Sequence, residues 1–173
     1  MSHLEALIAE YLEWQGFLVR RNTKVGRLSH GGWESELDVV GFNPQTGKLV
    51  HYEPSLDAHA WARREKRYKK KFEAGRKYIF KDMFSWLPLN TDLEQIAVFM
   101  SHPKGRDSIA GGKIMSIDEL VAEIREKVAA CGPLLHSAIP EQFPLLRMMQ
   151  LSHVGFRRAI GVGGAHRFPL ARE

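Results

Sequence analysis

The 173-residue sequence predicts an α/β fold, and three features of the chain support that prediction. Apolar residues recur at helical spacing near the N-terminus and in a long basic segment at mid-chain. Three short stretches rich in strand-forming residues lie between these two segments, and two of them flank a turn that contains Pro and Gly. The predicted order of elements is therefore α-β-β-β-α-β-α, followed by a loosely patterned tail.

The first helix is predicted over residues 3–15. Ser2 is placed to cap it, with Glu5 three residues later in the capping-box position, and Gly16 is placed to end it. The three predicted strands then cover residues 17–25, 35–42 and 48–55. A glycine-rich loop joins the first two strands, and the turn from Asn43 to Gly47 makes the second and third a hairpin.

A long helix is predicted over residues 58–80, followed by an irregular segment with Trp86 and Pro88. A fourth strand is predicted over residues 93–100 and a loop over residues 102–112. Ser116 and Glu119 form a second capping box that begins a helix ending at about residue 130. We therefore predict a core domain over residues 1–131 and an extension over residues 132–173, partly helical and with a basic tail.

Composition excludes several classes of protein. The single cysteine, Cys131, rules out a disulfide framework and a cysteine-based zinc site. No apolar run approaches the roughly 20 residues of a membrane span. The N-terminal segment carries early acidic residues and no long apolar stretch, which is not the pattern of a secretory signal. We expect a cytoplasmic protein with no membrane partner.

Positive charge is concentrated in residues 61–81, which hold ten Lys or Arg against two Glu, a net charge of +8. A basic stripe of this density is typical of a nucleic-acid-binding surface. The alternative is a solvated lysine face that serves solubility. The candidate nucleic-acid-binding residues are Arg63, Arg64, Lys66, Arg67 and Lys70.

Acidic residues in the hairpin strands indicate a possible site. Side chains alternate between the two faces of a strand, and a turn symmetric about Gln45 and Thr46 fixes which residues face each other. The expected cross-strand pairs are Asp38 with Glu53, Glu36 with Ser55 and Val40 with His51. Directly opposed residues have Cβ atoms roughly 5 Å apart, so the two carboxylates repel each other unless a cation lies between them.

A hard divalent cation, Mg²⁺ or Mn²⁺, is the simplest candidate for that position, since Mg²⁺ is usually held by oxygen ligands. Such an ion polarises a phosphoryl oxygen and lowers the pKa of a bound water. The alternative is that these acidic residues lie on a half-exposed strand and are balanced by nearby lysines. His51 shares the acidic face, where it could contact phosphate or simply form a hydrogen bond.

Five short segments in this order resemble the PD-(D/E)XK superfamily, the restriction-endonuclease-like nucleases. These segments are Glu5, Tyr11-Leu12, Gly16-Phe17, Glu36-Leu37-Asp38 and Tyr52-Glu53-Pro54-Ser55. The resemblance covers roughly the first 100 residues and is strongest to the Holliday-junction-resolvase-like and small uncharacterised branches. It implies an αβββαβ core with a mixed sheet flanked by helices, and metal-dependent hydrolysis of DNA or, second, RNA. The pattern of the tail adds a C-terminal helical extension to this core.

The resemblance also implies roles for individual residues. Asp38 and Glu53 would bind the metal ion, with the backbone carbonyl of Pro54 as a further ligand. Glu5 would be the helix acid that assists them, and Glu10 is the alternative on the same helix. Many such nucleases act as homodimers, so a homodimer is a possible state.

Ser55 occupies the position at which the family has a lysine that orients or deprotonates the attacking water. A serine does not provide the positive charge that stabilises hydroxide. In some relatives that lysine comes from the following helix, and the helical spacing of about 100° per residue narrows the choice here. The predicted core stripe is Trp61, Tyr68, Phe72 and Ile79. Lys66 and Lys70 then point away from the sheet, and Lys69 or Lys71 is the candidate substitute.

Two other functions stay open on the sequence alone. The first is a catalytically inactive relative that binds nucleic acid with strong salt dependence. The second is an interaction domain in which the lysines serve only solubility. In the tail, a short helix is expected within residues 139–150, and the three arginines beyond it are candidate phosphate contacts: Arg157, Arg158 and Arg167.

Overall fold

The computed structural model describes residues 2–132 and 137–152, which form an α/β fold with a six-stranded mixed sheet and four α-helices. The chain divides into two compact units, residues 1–123 and residues 124–173. The whole sheet lies in the first unit. The domain boundary expected after residue 131 stays a prediction. The predicted tail arginines at positions 157, 158 and 167 lie outside the described residues.

The helices and strands follow the predicted order, with two additional short strands. The N-terminal half contains α1 (His3–Trp14), β1 (Leu18–Arg27), β2 (Trp33–Phe42), β3 (Leu49–Ser55) and α2 (Trp61–Tyr78). A π-helical turn, Ile79–Met83, directly continues α2. The remaining elements are β4 (Leu93–Phe99), β5 (Ser108–Ile109), β6 (Gly112–Ser116), α3 (Ile117–Ala130) and α4 (Pro144–Gln150).

The strands are arranged in the spatial order β1-β2-β3-β4-β6-β5. The first three form an antiparallel meander. Strand β4 lies between β3 and β6 and is parallel to both, and β5 pairs antiparallel with β6. A parallel pair needs a crossover connection, and α2 supplies it between β3 and β4. The predicted α/β class, the mixed sheet and the αβββαβ order are therefore confirmed.

The strands β5 and β6 were not predicted, and the expected loop over residues 102–112 was wrong at Ser108–Ile109 and Gly112. Both strands are short, and their residues form strands because β6 pairs with β4. Gly112 also weakens the local strand signal. Its missing Cβ is required by packing, since a Cβ there would lie 2.3 Å from the Phe72 ring.

The capping boxes predicted from the sequence are both present. Ser2 Oγ accepts a hydrogen bond from the Glu5 backbone N–H at 3.2 Å, and Gly16 ends the helix with φ of +85°. At the start of α3, the Glu119 N–H donates to Ser116 Oγ at 3.1 Å and the Ser116 N–H donates to Glu119 Oε2 at 2.6 Å. These contacts satisfy backbone donors that have no partner within the helix.

The hairpin register agrees with the prediction for the residues that pair. Asn43 Oδ1 accepts hydrogen bonds from the next two turn N–H groups, at 2.9 and 3.1 Å. The β2–β3 ladder then runs from Phe42↔Leu49 to Val39↔Tyr52 and includes Val40↔His51. It ends there, so the expected pairs Asp38–Glu53 and Glu36–Ser55 lie just beyond the last paired residues.

Helix α2 packs on the sheet through the predicted apolar stripe. Tyr68, Phe72 and Ile79 are buried, and the partly buried Trp61 packs against the same cluster as Tyr68 and Phe72. The aromatic rings of Tyr68, Phe72 and Phe99 meet edge to face, with centroids 5.0 to 5.5 Å apart. This packing fixes the rotation of α2 about its axis and hence which lysines face the sheet.

The second unit contains the C-terminal helix α4. Its last residue, Gln150, is fully buried, and its side-chain amide donates to the carbonyls of Gly132 and Ser137 at 3.2 and 2.7 Å. Gln150 Oε1 accepts a hydrogen bond from the Ile139 N–H at 2.9 Å. The helix expected within residues 139–150 is thereby found. Across residues 2–132 and 137–152, no helix combines the length and apolar character that crossing a membrane requires.

Candidate functional site

Two carboxylates and one ammonium group meet at the end of the β2–β3 ladder. Lys71 Nζ, on α2, lies 3.0 Å from both Asp38 oxygens and also donates a hydrogen bond to Glu53 Oε2. Asp38 is on β2 and Glu53 on β3, so three elements contribute one group each. The two carboxylates share a single cation, and in this structure that cation is the Lys71 ammonium, whereas the divalent metal ion expected from the sequence stays a prediction.

Burial and charge give the two carboxyl groups very different proton affinities. Burial, and then the neighbouring Glu53 charge, raises the pKa of Asp38 to about 7. Burial also acts to raise the pKa of Glu53, but the hydrogen bond from His51 and the charge of Lys71 outweigh it and lower that pKa to about 2. At neutral pH the Lys71 ammonium therefore lies between an ionised Glu53 and a partly protonated Asp38.

The two oxygens of Glu53 have separate partners. Oε1 lies 2.9 Å from His51 Nε2 and accepts a hydrogen bond from the Asp38 backbone N–H at 3.2 Å. Oε2 faces Lys71. Tyr68 Oη donates to the Glu53 backbone carbonyl at 2.9 Å, which holds the strand itself. Because Oε1 has two donors, Oε2 is the oxygen directed at the cation.

A buried chain of polar groups sets the orientation of His51. Gln95 Oε1 accepts a hydrogen bond from Arg76 at 2.6 Å, so its Nε2 is the donor to the Phe72 carbonyl at 3.0 Å. The second Nε2 hydrogen points to His51 Nδ1, also at 3.0 Å. His51 Nδ1 is therefore an acceptor, and its Nε2–H donates to Glu53. These contacts assign the Nε2–H tautomer.

Gly75 allows α2 to pass directly over this chain. A Cβ at this position would lie 2.6 Å from His51 Nδ1 and 2.8 Å from Gln95 Nε2. Glycine inside a helix costs roughly 1 kcal/mol relative to alanine. The close approach of the helix backbone to the His51–Gln95 pair is the physical reason for a glycine here.

Ser55, at the position of the family lysine, is directed to a neighbouring acid. Its Oγ donates to Asp57 Oδ2 at 2.5 Å, and the same oxygen lies 2.5 Å from Arg67 Nη1. The positive charge at the carboxylates comes from Lys71 instead. Of the two candidate substitutes, Lys71 reaches Asp38 and Glu53, whereas Lys69 is exposed on the helix surface.

A basic groove lies beside the carboxylates. It has a volume of about 410 Å³ and is lined by Glu34, Ser35, Arg63, Lys66, Arg67, Lys70 and Lys71. Four of the five candidate nucleic-acid-binding residues are in this set. The fifth, Arg64, is buried instead, with its guanidinium donating to the Asp57 carbonyl and lying 4.6 Å from the Phe99 ring centroid. The groove contains Lys71, so it leads to the carboxylate pair.

Glu5 lies near the site but does not reach it directly. Its carboxylate accepts hydrogen bonds from Ser2 and from Asn22 Nδ2, at 2.9 and 3.0 Å. Asn22 interrupts β1 with φ of +46°, between the pairs Arg21↔Val39 and Thr23↔Leu37, and so lies level with Asp38 on the next strand. The alternative helix acid, Glu10, is buried, while Glu36 is exposed.

The two carboxylates offer part of the ligand set that a divalent cation would need. Asp38 and Glu53 present carboxylate oxygens to one point, and hard oxygen donors are the ligands of Mg²⁺ and Mn²⁺. Pro54, whose carbonyl is the expected third ligand, follows Glu53 directly and is buried. Within residues 2–132 and 137–152 there is no group of three or more His, Cys, Asp or Glu placed to hold a metal ion. Water and Pro54 would have to complete the coordination.

Comparison with known proteins finds a structural similarity but assigns no family. No protein-family model matches the sequence, and no curated protein matches it. The structure is similar to the crystal structure of a protein of unknown function, AF1548, with a TM-score of 0.47 and 15% identity. The match covers 85% of this chain and 77% of that one. A similarity of this size identifies neither a superfamily nor a function.

Three residues of the site were not singled out from the sequence: Arg76, Gln95 and Gly75. Gln95 sits in a predicted strand, where its burial depends on the helix that covers it. Gly75 offered the one available signal, since a glycine within a long helical pattern often marks a close contact. Nothing in the local pattern indicated what that contact would be.

Proposed function

We propose that this chain is a metal-dependent nuclease with a restriction-endonuclease-like core that hydrolyses phosphodiester bonds in DNA. The observation that carries the proposal is the convergence of Asp38, Glu53 and Lys71 at the side of a basic groove. Two carboxylates and a lysine at one point are the groups that the resembled superfamily uses for this reaction. Here the lysine comes from the helix after the hairpin.

Each group has a distinct task in the proposed reaction. Glu53, held ionised by its partners and oriented through Oε1, presents Oε2 to the cation. Asp38 supplies the second carboxylate and becomes fully ionised once additional positive charge is present. Lys71 would orient the attacking water and stabilise the negative charge that develops on the phosphoryl group.

The basic groove binds the phosphate backbone of the substrate. Arg63, Lys66 and Lys70 are exposed, and among the described residues no carboxylate lies within ion-pair distance of them, so their charges are available to phosphates. Mg²⁺ or Mn²⁺ bound at Asp38, Glu53 and the Pro54 carbonyl would polarise the scissile phosphate and lower the pKa of a bound water. RNA is the second choice of substrate.

Replacing Asp38 with Asn tests the proposal. The variant keeps the size of the side chain but removes a metal-binding charge, so cleavage of plasmid and branched DNA with Mg²⁺ or Mn²⁺ should fall at least about 100-fold. Glu36→Gln is the matched control, because it removes one acidic charge from an exposed position of the same strand. Undiminished cleavage by Asp38→Asn would refute the assignment.

A second candidate function is a nucleic-acid-binding module that does not cleave. Ser55 in place of the family lysine favours it, as does the ammonium of Lys71 between the two acids. Such a module would bind DNA with steep salt dependence, and Lys66→Gln and Lys70→Gln would each reduce the salt slope by about 1. Binding without cleavage under every divalent ion tried would select this function. The homodimer and the cytoplasmic location stay predictions.

A further inference from the structure

A second cavity, of about 520 Å³, opens where the neighbouring parallel strands β3 and β4 end. The last pair of their ladder is Ser55↔Phe99. The loops that follow both strands, together with the first turn of α2, form the walls. Ligands of open α/β sheets bind in crevices beyond the carboxyl ends of the strands, and this volume is within the usual range for a small-molecule pocket.

One ion pair connects this cavity to the basic groove. Asp57 lines the cavity, Arg67 lines the groove, and Asp57 Oδ2 lies 2.5 Å from Arg67 Nη1. Asp57 also accepts the hydrogen bond from Ser55, two residues after Glu53 on the same strand. The groove and the cavity are therefore adjacent, so a phosphate backbone bound in the groove would lie close to the cavity.

The cavity lining suits a flat heterocycle. Leu56 and Met100, which follow β3 and β4, are each 59% exposed, and the partly exposed indole of Trp61 belongs to the same lining, with the Arg64 guanidinium 4.9 Å from its ring centroid. Ser101 and His59 add polar atoms at the same surface. Large apolar side chains left open to solvent beside hydrogen-bonding groups are the arrangement that stacks and recognises a nucleobase.

The charged groups of the cavity are already paired, which argues against a phosphate as its occupant. Arg64 donates to the Asp57 carbonyl, and its Nε lies 3.5 Å from the Asp57 carboxylate. His102 Nε2 lies 3.3 Å from Glu119. The exposed Arg106 lies over the Trp61 ring, 4.7 Å from its centroid, at the edge of the site. The groove is the better binding surface for phosphates, because Lys66 and Lys70 there have no ion-pair partner among the described residues.

We propose that this cavity receives one unpaired nucleobase of the strand whose backbone lies in the basic groove. The inference rests on the proposed nucleic-acid function and deepens it, because it names the substrate class. A base inside a duplex must be unpaired and unstacked before it can enter a pocket. This costs free energy, and the cost is smallest for a base that is already unpaired. The preferred substrates are therefore overhangs, gaps and branches, and continuous duplex is a poorer ligand.

Equilibrium binding to the full-length protein in EDTA tests this without any cleavage. Three fluorescent DNA ligands are compared: a blunt duplex, the same duplex with a short single-stranded overhang, and that overhang with abasic sugars. The overhang with bases should bind about tenfold more tightly than the other two, since stacking of one base on an aromatic side chain contributes about 1–3 kcal/mol, or about 5- to 150-fold in affinity. The abasic overhang keeps the phosphates and isolates the contribution of the base.

Substitutions in the cavity then test whether the preference for the base-bearing overhang arises there. Trp61→Ala and, as a milder change at an exposed position, Met100→Ser should bring the preference for the overhang to within about twofold and leave duplex affinity unchanged. Trp86→Ala is the control, because Trp86 is 61% exposed and packs on Phe42 and Phe84, outside this cavity.

Equal binding of the abasic and base-bearing overhangs would overturn the cavity assignment while leaving the groove intact. A preference that survives Trp61→Ala and Met100→Ser would place the base elsewhere and also overturn it. Loss of all DNA binding in the unmodified protein would instead remove the proposed function together with this inference. The outcomes of the two proposals are thus distinguishable.

Discussion

Lys70 and Lys71 are consecutive residues of α2, yet they lie in opposite environments. Lys71 faces the sheet, where its ammonium joins two buried carboxylates, and its side chain is 18% exposed. Lys70 faces the solvent and lines the basic groove. The comparison shows that one helix supplies both proposed parts of the function: a fixed charge for chemistry on one face and mobile charges for phosphate binding on the other.

The energetic consequences of the two faces differ as well. A buried charge is stable only when it is paired, so each member of the Lys71 cluster depends on the others. Exposed lysines interact weakly with the rest of the protein and can be replaced at little cost in stability. Substitutions on the inner face should therefore alter folding and catalysis together, whereas those on the outer face should alter affinity alone.

Lys71→Met against Lys70→Met is the strongest test of this difference. Removing Lys71 leaves two buried carboxylates without their cation, so the free energy of unfolding should fall by about 3 kcal/mol. Lys70→Met should change it by less than about 0.5 kcal/mol. Urea denaturation in EDTA measures both. Equal effects of the two variants would mean that the Lys71 contacts do not persist in solution.

Asp38→Asn should reveal the charge balance of the inner face through pH. Because the pKa of Asp38 is raised from 3.8 to about 7, the folded protein binds its proton more tightly than the unfolded chain between these values. The contribution of Asp38 to stability therefore decreases as the pH rises through this window. The variant has no carboxyl group to titrate at this position. Measured in EDTA, its free energy of unfolding relative to that of the parent protein should therefore rise by about 2 kcal/mol between pH 5 and pH 7.

Glu53 acts in the opposite sense and at lower pH. Its pKa is lowered from 4.5 to about 2, so its contribution to stability is present above pH 4.5 and is lost as the pH falls toward 2. The two windows barely overlap, which allows the Asp38 effect to be measured by itself. A parallel pH profile for Asp38→Asn and the parent protein would contradict the raised pKa. Glu36→Gln again serves as the control.

Gly75→Ala gives the smallest of the expected effects and probes the contact beneath α2. Alanine favours the helix by roughly 1 kcal/mol, but its Cβ would lie 2.6 Å from His51 Nδ1. Displacing a buried ring costs about 1–3 kcal/mol, so a net loss of about 1 kcal/mol is expected from thermal or urea unfolding. Glu73→Ala, at an exposed position of the same helix, should not destabilise. A stabilised Gly75→Ala variant would show that the His51–Gln95 pair is not where the structure places it.

Much of the fold could be predicted from local patterns. The capping boxes at Ser2 and Ser116 and the Asn43 turn were confirmed because each is completed by residues within a few positions along the chain. The hairpin register followed from that turn, and with it the meeting of Asp38 and Glu53. The buried face of α2 followed from the spacing of its aromatic residues.

Other features depended on distant parts of the chain and escaped prediction. The strand β6 forms against β4, and its five residues carry no pattern of their own. The hydrogen bond from Asn22 to Glu5 was not foreseen, because the left-handed backbone of Asn22 has no signature in a run of strand-forming residues; the assisting role of Glu5 stays a prediction. Sequence spacing left Lys69 and Lys71 as equal candidates, and only the packing of α2 distinguished them.

The sequence by itself determined the α/β order, the hairpin and the pairing of two acids, because turns, caps and alternation act between near neighbours. Tertiary structure alone decided that Lys71 is the cation between those acids and that Arg76, Gln95 and His51 hold Glu53 in place. These contacts join β2, β3, α2 and β4, elements separated by tens of residues. Their geometry depends on how closely the helix approaches the sheet, and that distance is set by packing at Gly75 and Phe72.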